Sequence, residues 1–208
     1  MNYRGGDLNA WKKEARAKLG ISTDRLFVLS FGGSLGAEPV NRAVLQMMRD
    51  FSSKHPSVLH LHAAGKRDYE ASLSAYRDMG LEGNPSCRLV DYIYDMPVQM
   101  AAADLVISRA GAMSISELAL TGKATVFIPS PYVAENHQYK NAMALVNKSA
   151  ALYVPDAEAE HTLIAEAINT VKNGKKLLGL SQNIKTLARP NAARDIAEEV
   201  IRLAKGGK

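Results

Sequence analysis

The chain has 208 residues, 47% of them hydrophobic and 23% charged, which suits a folded unit large enough to bury its own core and excludes a disordered chain. Its single cysteine, Cys87, excludes an internal disulfide and a thiolate zinc cluster, and no apolar run approaches the roughly 20 residues of a membrane-spanning helix. The net charge of +5 permits an anionic partner, but the basic residues are scattered without interleaved aromatics, which argues against nucleic acid.

Residues 7–19 read as a first helix, with Asp7 or Asn9 as its cap. Residues 26–31, Leu-Phe-Val-Leu-Ser-Phe, are the near-continuous apolar run of a strand buried on both faces. A glycine-rich turn follows, Gly32-Gly33-Ser34-Leu35-Gly36-Ala37, and then a helix over about 39–53. A second strand is expected over 58–63, a helix over 68–79, a third strand over 88–90 and a short helix over 97–102. The fourth strand, 105–108, leads into a helix over 113–120, with Gly122 placed as its C-cap. Strand 124–128 is closed by Pro129 and Pro131, and a helix over 136–148 precedes a short strand at 151–154. Helices over 162–172, 175–188 and 192–205 complete the chain. In the last of them Ile196, Val200 and Leu203 share one helical face, which is expected to pack on this domain.

Strands alternating with helices predict an α/β fold: a Rossmann-like doubly wound parallel sheet, here one domain over residues 1–208. Right-handed crossovers place the C-terminal ends of the strands on one rim, where ligands bind in such sheets. The informative turns all follow strands, and three of them carry candidate chemistry.

The glycine turn at 32–37 lets backbone N–H groups approach a phosphate at a helix N-terminus, with the Ser34 hydroxyl beside them. It matches neither a dinucleotide fingerprint nor a P-loop, and a plain strand-to-helix turn is the alternative reading. The second turn reads Ser108-Arg109-Ala110-Gly111-Ala112-Met113-Ser114-Ile115-Ser116-Glu117. Glu117 suits the two vicinal hydroxyls of a ribose, yet its spacing of three from Ser114 also suits a capping box. In the third, Glu135-Asn136-His137-Gln138-Tyr139-Lys140-Asn141, the Gln138 and Asn141 amides share a helix face that fits sugar hydroxyls. Capping by Asn136 is the simpler account of that stretch. His60 and His62 alternate on one strand face without a third ligand, so packed histidines are expected there rather than a metal site. No metal and no cofactor are expected.

Four ordered stretches carry a resemblance: Gly32-Gly33-Ser34-x-Gly36-Ala37, Asp91-Tyr92-Ile93-x-Asp95-Met96, the turn from Ser108 to Glu117, and His137-Gln138-x-x-Asn141-Ala142. Together the chain resembles the C-terminal, donor-binding domain of the MurG-type peptidoglycan glycosyltransferases, which have the GT-B fold. The resemblance implies an inverting UDP-GlcNAc-dependent transferase that glycosylates lipid I to lipid II without a bound catalytic metal. It implies that Ser34 and its loop meet the diphosphate, that Ile93 reads the uracil, and that Ala112, Met113 and Ser114 meet sugar and phosphates through their backbone. Glu117 would hold the ribose; His137, Gln138 and Asn141 would hold the GlcNAc; Arg4 would reach the diphosphate. Nothing in the sequence matches the family's acceptor-binding N-terminal domain, so the general base and the lipid acceptor are assigned to that missing half or to a partner subunit. On this reading the chain alone binds donor and transfers little sugar. It works in the cytoplasm at the inner face of the membrane, which it meets only indirectly, and its last helix would cross toward the other half. Two alternatives keep the fold: a split transferase with a glycolipid acceptor, and a nonenzymatic UDP-sugar-binding module.

Overall fold

A computed structural model describes residues 7–206. Asp7 caps the first helix, α1 (Leu8–Leu19), by accepting from the Asn9 N–H at 2.9 Å, and Gly20 closes it in the left-handed region. The rest alternates as expected: β1 (Leu26–Phe31), α2 (Glu38–Asp50), β2 (Val58–Ala63), α3 (Tyr69–Asp78), β3 (Cys87–Val90), α4 (Met96–Ala102), β4 (Leu105–Ser108), α5 (Ala112–Thr121), β5 (Ala124–Phe127), α6 (His137–Val146), β6 (Leu152–Tyr153), α7 (Ala159–Lys172), α8 (Gly174–Lys185) and α9 (Ala192–Ala204).

The six strands form one sheet in the order β3-β2-β1-β4-β5-β6, every pair parallel. From β1 the chain first builds outward through β2 and β3, then returns to the other side of β1 and builds through β4, β5 and β6. The reversal leaves a crevice beyond the C-terminal ends of β1 and β4, the place where doubly wound sheets bind ligands. Register fixes that edge: Phe31 lies opposite both Ala63 and Ser108, and Ser108 opposite Phe127.

Alternating side chains feed two cores. Phe27, Leu29, Val106 and Phe127 pack on one face of the sheet, and Val28, Leu105, Ile107 and Val126 on the other, under α2 and α7. Phe27 and Phe127 are at most 1% exposed, each contributing on the order of 2–3 kcal/mol by burial. Arg16 is buried as well. Its guanidinium donates to the Ala102, Ser22 and Arg25 carbonyls and pairs with Asp104, which locks α1 against the end of α4.

One expectation is corrected. Ile196, Val200 and Leu203 are between 58% and 65% exposed, so the apolar face of α9 does not pack on the domain. The chain turns away at Pro190, after α8 has taken its place on β5.

Candidate functional site

The glycine turn after β1 holds Gly33 at φ +105° and Gly36 at φ +99°, conformations that side chains rarely adopt. Its role is to deliver the chain into α2 with no side-chain cap: Ala37 is extended, and the first bond within the helix runs from the Asn41 N–H to the Ala37 carbonyl at 2.9 Å. The N–H groups of Glu38 and Val40 precede that bond, and Pro39 has none to give. The same construction recurs after β4. Gly111 is the N-cap of α5 without a capping side chain, and the first intrahelical bond joins Ile115 N–H to Gly111 at 3.0 Å. The N–H groups of Ala112, Met113 and Ser114 therefore have no partner within the helix. Two uncapped helix N-termini thus point at one rim, and their dipoles favour negative charge.

Beside the N-terminus of α2 lies a cleft of about 400 Å³, bounded by Gly32, Gly36, Arg67, Arg109, Ser130 and Gln138. Gln138 is anchored by its Oε1, which accepts from the Ser130 N–H at 3.0 Å. Asn141 donates from Nδ2 to the Ala110 carbonyl at 3.2 Å. His137 uses Nδ1 toward the Ala134 carbonyl at 2.9 Å, which leaves Nε2 to face outward as an acceptor. The turn that launches α6 puts Glu135 and Asn136 at φ +51° and +52°, and Asn136 makes no side-chain cap. Such left-handed non-glycine residues cost energy and cluster at ligand sites.

Glu117 is exposed on the second turn of α5, and among the described residues its carboxylate has no hydrogen bond or ion pair. The capping box is absent because Ser114 lies inside the helix, with Gly111 at the cap. Ile93, in the turn after β3, is only 6% exposed and packs in the core against the sheet, so its side chain is held. It borders a separate apolar hollow of about 320 Å³ with Tyr92 and Tyr94. Lys66, which follows the turn after β2, places its Nζ 5.4 Å from the Tyr92 ring centre and 5.9 Å from that of Tyr94. Arg4 lies outside the described residues.

Residues that sequence reasoning gave no role also border the cleft, Arg67, Arg109 and Ser130 among them. Arg109 pairs with Asp156 and donates to the Ile128 carbonyl at 2.9 Å, joining the turns after β4 and β5. Ser130 carries the N–H that orients Gln138. The available signal was an arginine set directly after a fully buried strand, where the rim is the only place for its charge.

The opposite edge of the sheet has a hollow of about 440 Å³ lined by Lys12, Asp104 and Lys123. Two of its cations are already engaged: Lys12 pairs with Asp104, and Lys123 donates to the Ala101 and Ala103 carbonyls at 2.7 and 3.1 Å. Burial pushes the Lys123 ammonium down to about 7. Among the described residues no group of three His, Cys, Asp or Glu side chains could hold a metal. No helix of those residues is long and apolar enough to cross a membrane.

Comparison with known proteins gives a consistent picture. Residues 27–200 match the model of the glycosyltransferase family 28 C-terminal domain. The UDP-N-acetylglucosamine–N-acetylmuramyl-(pentapeptide) pyrophosphoryl-undecaprenol N-acetylglucosamine transferase of Bacteroides fragilis is 44% identical over 196 residues, covering 93% of this chain and 50% of the relative. Its namesake in Bacteroides thetaiotaomicron is 45% identical over 193 residues, covering 93% of this chain and 51% of the relative. Among solved structures, Acinetobacter baumannii MurG superposes with a TM-score of 0.75 at 27% identity, covering 92% of this chain and 53% of that one. The chain spans about half the length of the curated relatives it matches.

Proposed function

The chain belongs to the glycosyltransferase family 28 C-terminal domains, and on that premise we propose that it is the UDP-GlcNAc-binding half of a transferase that glycosylates lipid I. The observation that carries this reading is the rim itself. Two uncapped helix N-termini open on the rim that also carries the Gln138 and Asn141 amides, and Glu117 stands unpartnered on the second turn of α5. The N–H groups of α2 and α5 suit a diphosphate, the carboxylate suits a ribose diol, and each amide keeps one free atom for a sugar hydroxyl.

In such a reaction an acceptor hydroxyl attacks C1 of the sugar from the face opposite UDP, and the anomeric centre inverts. Negative charge grows on the departing diphosphate, where the helix N-termini stabilise it without rearrangement. Arg109 and Arg67 bring positive charge to the same cleft, with Arg109 already paired to Asp156 and Arg67 to Asp68. Holding donor and acceptor in line supplies much of the remaining acceleration, and that requires the acceptor half.

The bare apolar face of α9 supports a partner domain that carries the acceptor site and the general base. Its lipid substrate would bring the assembled enzyme to the cytoplasmic face of the membrane. Titration calorimetry on the 208-residue chain tests the reading. UDP-GlcNAc and UDP should bind and ADP should bind far more weakly, while transfer to lipid I should require an acceptor domain added in trans. Failure of UDP-GlcNAc to bind at millimolar concentration, or efficient transfer by the chain alone, would overturn it.

A further inference from the structure

Five polar side chains lie inside the core between α2, β1 and β2, where apolar residues would pack with less cost. Ser30, Ser52, His60 and His62 are 0% exposed and Asn41 is 3% exposed. They form one continuous chain. Ser52 Oγ lies 3.0 Å from His60 Nδ1, and His60 Nε2 lies 2.9 Å from Ser30 Oγ. Ser30 Oγ lies 2.9 Å from His62 Nδ1, and His62 Nε2 lies 3.0 Å from Asn41 Oδ1. Asn41 Nδ2 then donates to the Ala64 carbonyl at 3.0 Å.

The donors can be assigned from the far end. Because Asn41 donates to Ala64, its oxygen must accept, so His62 carries its proton on Nε2. His62 Nδ1 then accepts from the Ser30 hydroxyl, Ser30 accepts from His60 Nε2–H, and His60 Nδ1 accepts from Ser52. Every bond runs in one direction with both rings neutral, so each polarises the next. The competing tautomer would use the 3.1 Å contact between His62 Nδ1 and the Ser30 carbonyl, but it turns the Asn41 amide so that oxygen faces oxygen at Ala64.

The two ends of the chain flank one helix. Asn41 is on the first turn of α2, and Ser52 lies just past its last residue. The Ala64 carbonyl opens the turn that abuts the glycine turn: a Cβ on Gly36 would overlap that oxygen, a Cβ on Gly65 would overlap the Gly36 backbone, and the Lys66 N–H donates to the Ser34 carbonyl at 3.3 Å. We propose that the Ser52–His60–Ser30–His62–Asn41 chain is a positioning device that clamps α2 on the sheet and aims its N-terminus, with the glycine turn, at the donor's diphosphate. His62 and Ser30 are its positioning residues. Neither touches the ligand.

The inference rests on the UDP-binding reading, and the experiment separates the two. Affinities for UDP and UMP are measured on the unsubstituted chain and on His62→Leu, His62→Gln and Ser30→Ala. His62→Leu and Ser30→Ala should lower UDP affinity about tenfold and UMP affinity by less than about threefold, because the loss falls on the outer phosphate. His62→Gln, which can still donate to Asn41, should recover most of the difference. Equal loss for both nucleotides, or unchanged UDP affinity with only a lower Tm, overturns the positioning role. Ser30→Ala removes one hydroxyl and keeps the test alive if His62→Leu does not fold. An unsubstituted chain that binds no UDP overturns the donor-site reading instead.

Discussion

The side-chain amide of Asn141 donates to the Ala110 carbonyl at 3.2 Å, so the helix that carries the candidate sugar amides is tied to the turn that launches α5. Gln138 makes the matching tie to Ser130 on the other flank. Each amide is fixed by one atom and presents the other, which is how a site gains both orientation and a free hydrogen-bonding group. Asn141→Ala should therefore weaken UDP-GlcNAc binding by about 1–2 kcal/mol and UDP binding by less, since only the former engages the freed atom. Calorimetry with both ligands decides this, and equal losses would restrict Asn141 to holding the turn.

Glu117 offers a cleaner separation of binding from stability. It is exposed, sits past the cap, and has no partner among the described residues, so Glu117→Ala should change unfolding free energy by no more than about 0.5 kcal/mol. UDP affinity should fall by roughly 1–3 kcal/mol, as for a charged hydrogen bond. A double-mutant cycle with 2′-deoxy-UDP locates the contact. The unsubstituted chain should discriminate against the deoxy nucleotide and Glu117→Ala should not; equal discrimination by both would remove the ribose from Glu117.

The fold was largely legible because its signals are local. Buried parallel strands read as apolar runs, and Gly20 and Gly122 mark helix ends where the chain turns left-handed. The candidate site was legible as an order of turns, each following a strand. What stayed hidden depends on distance in space. Nothing near Arg109 in sequence announces Asp156, and nothing near Ser30 announces that two histidines from the neighbouring strand converge on its hydroxyl. The amphipathic pattern of α9 misled for a related reason: periodicity identifies an apolar face but not the surface that covers it.

The buried histidines make stability depend on pH. Burial pushes His60 down to about 3, helped by repulsion from His62, and pushes His62 down to about 4. In the unfolded chain both titrate near 6.5. Below that pH the unfolded state takes up protons that the folded state refuses, so the contribution is intact above 6.5 and drains away as pH falls toward 4. The slope is up to about 1.4 kcal/mol per pH unit for each ring. Urea unfolding at pH 7 and pH 5 should show a loss of a few kcal/mol. Stability that is flat across that window would mean that the rings are not held neutral.

Gly36 and Gly33 share a left-handed backbone but not a neighbourhood, and the pair separates steric fit from conformational strain. A Cβ at Gly33 meets nothing within 4 Å, so Gly33→Ala costs only the strain of φ +105°, on the order of 1–2 kcal/mol. A Cβ at Gly36 adds a collision with the Ala64 carbonyl and comes within 2.7 Å of the Asp68 carboxylate, so the turns after β1 and β2 must part. Gly36→Ala should cost more than about 3 kcal/mol and remove measurable UDP binding, whereas Gly33→Ala should fold and bind within about tenfold of the unsubstituted chain. Thermal unfolding with nucleotide titration reads both quantities. If the two variants behave alike, the contact between the turns does not shape the diphosphate site, and backbone conformation alone accounts for the glycines.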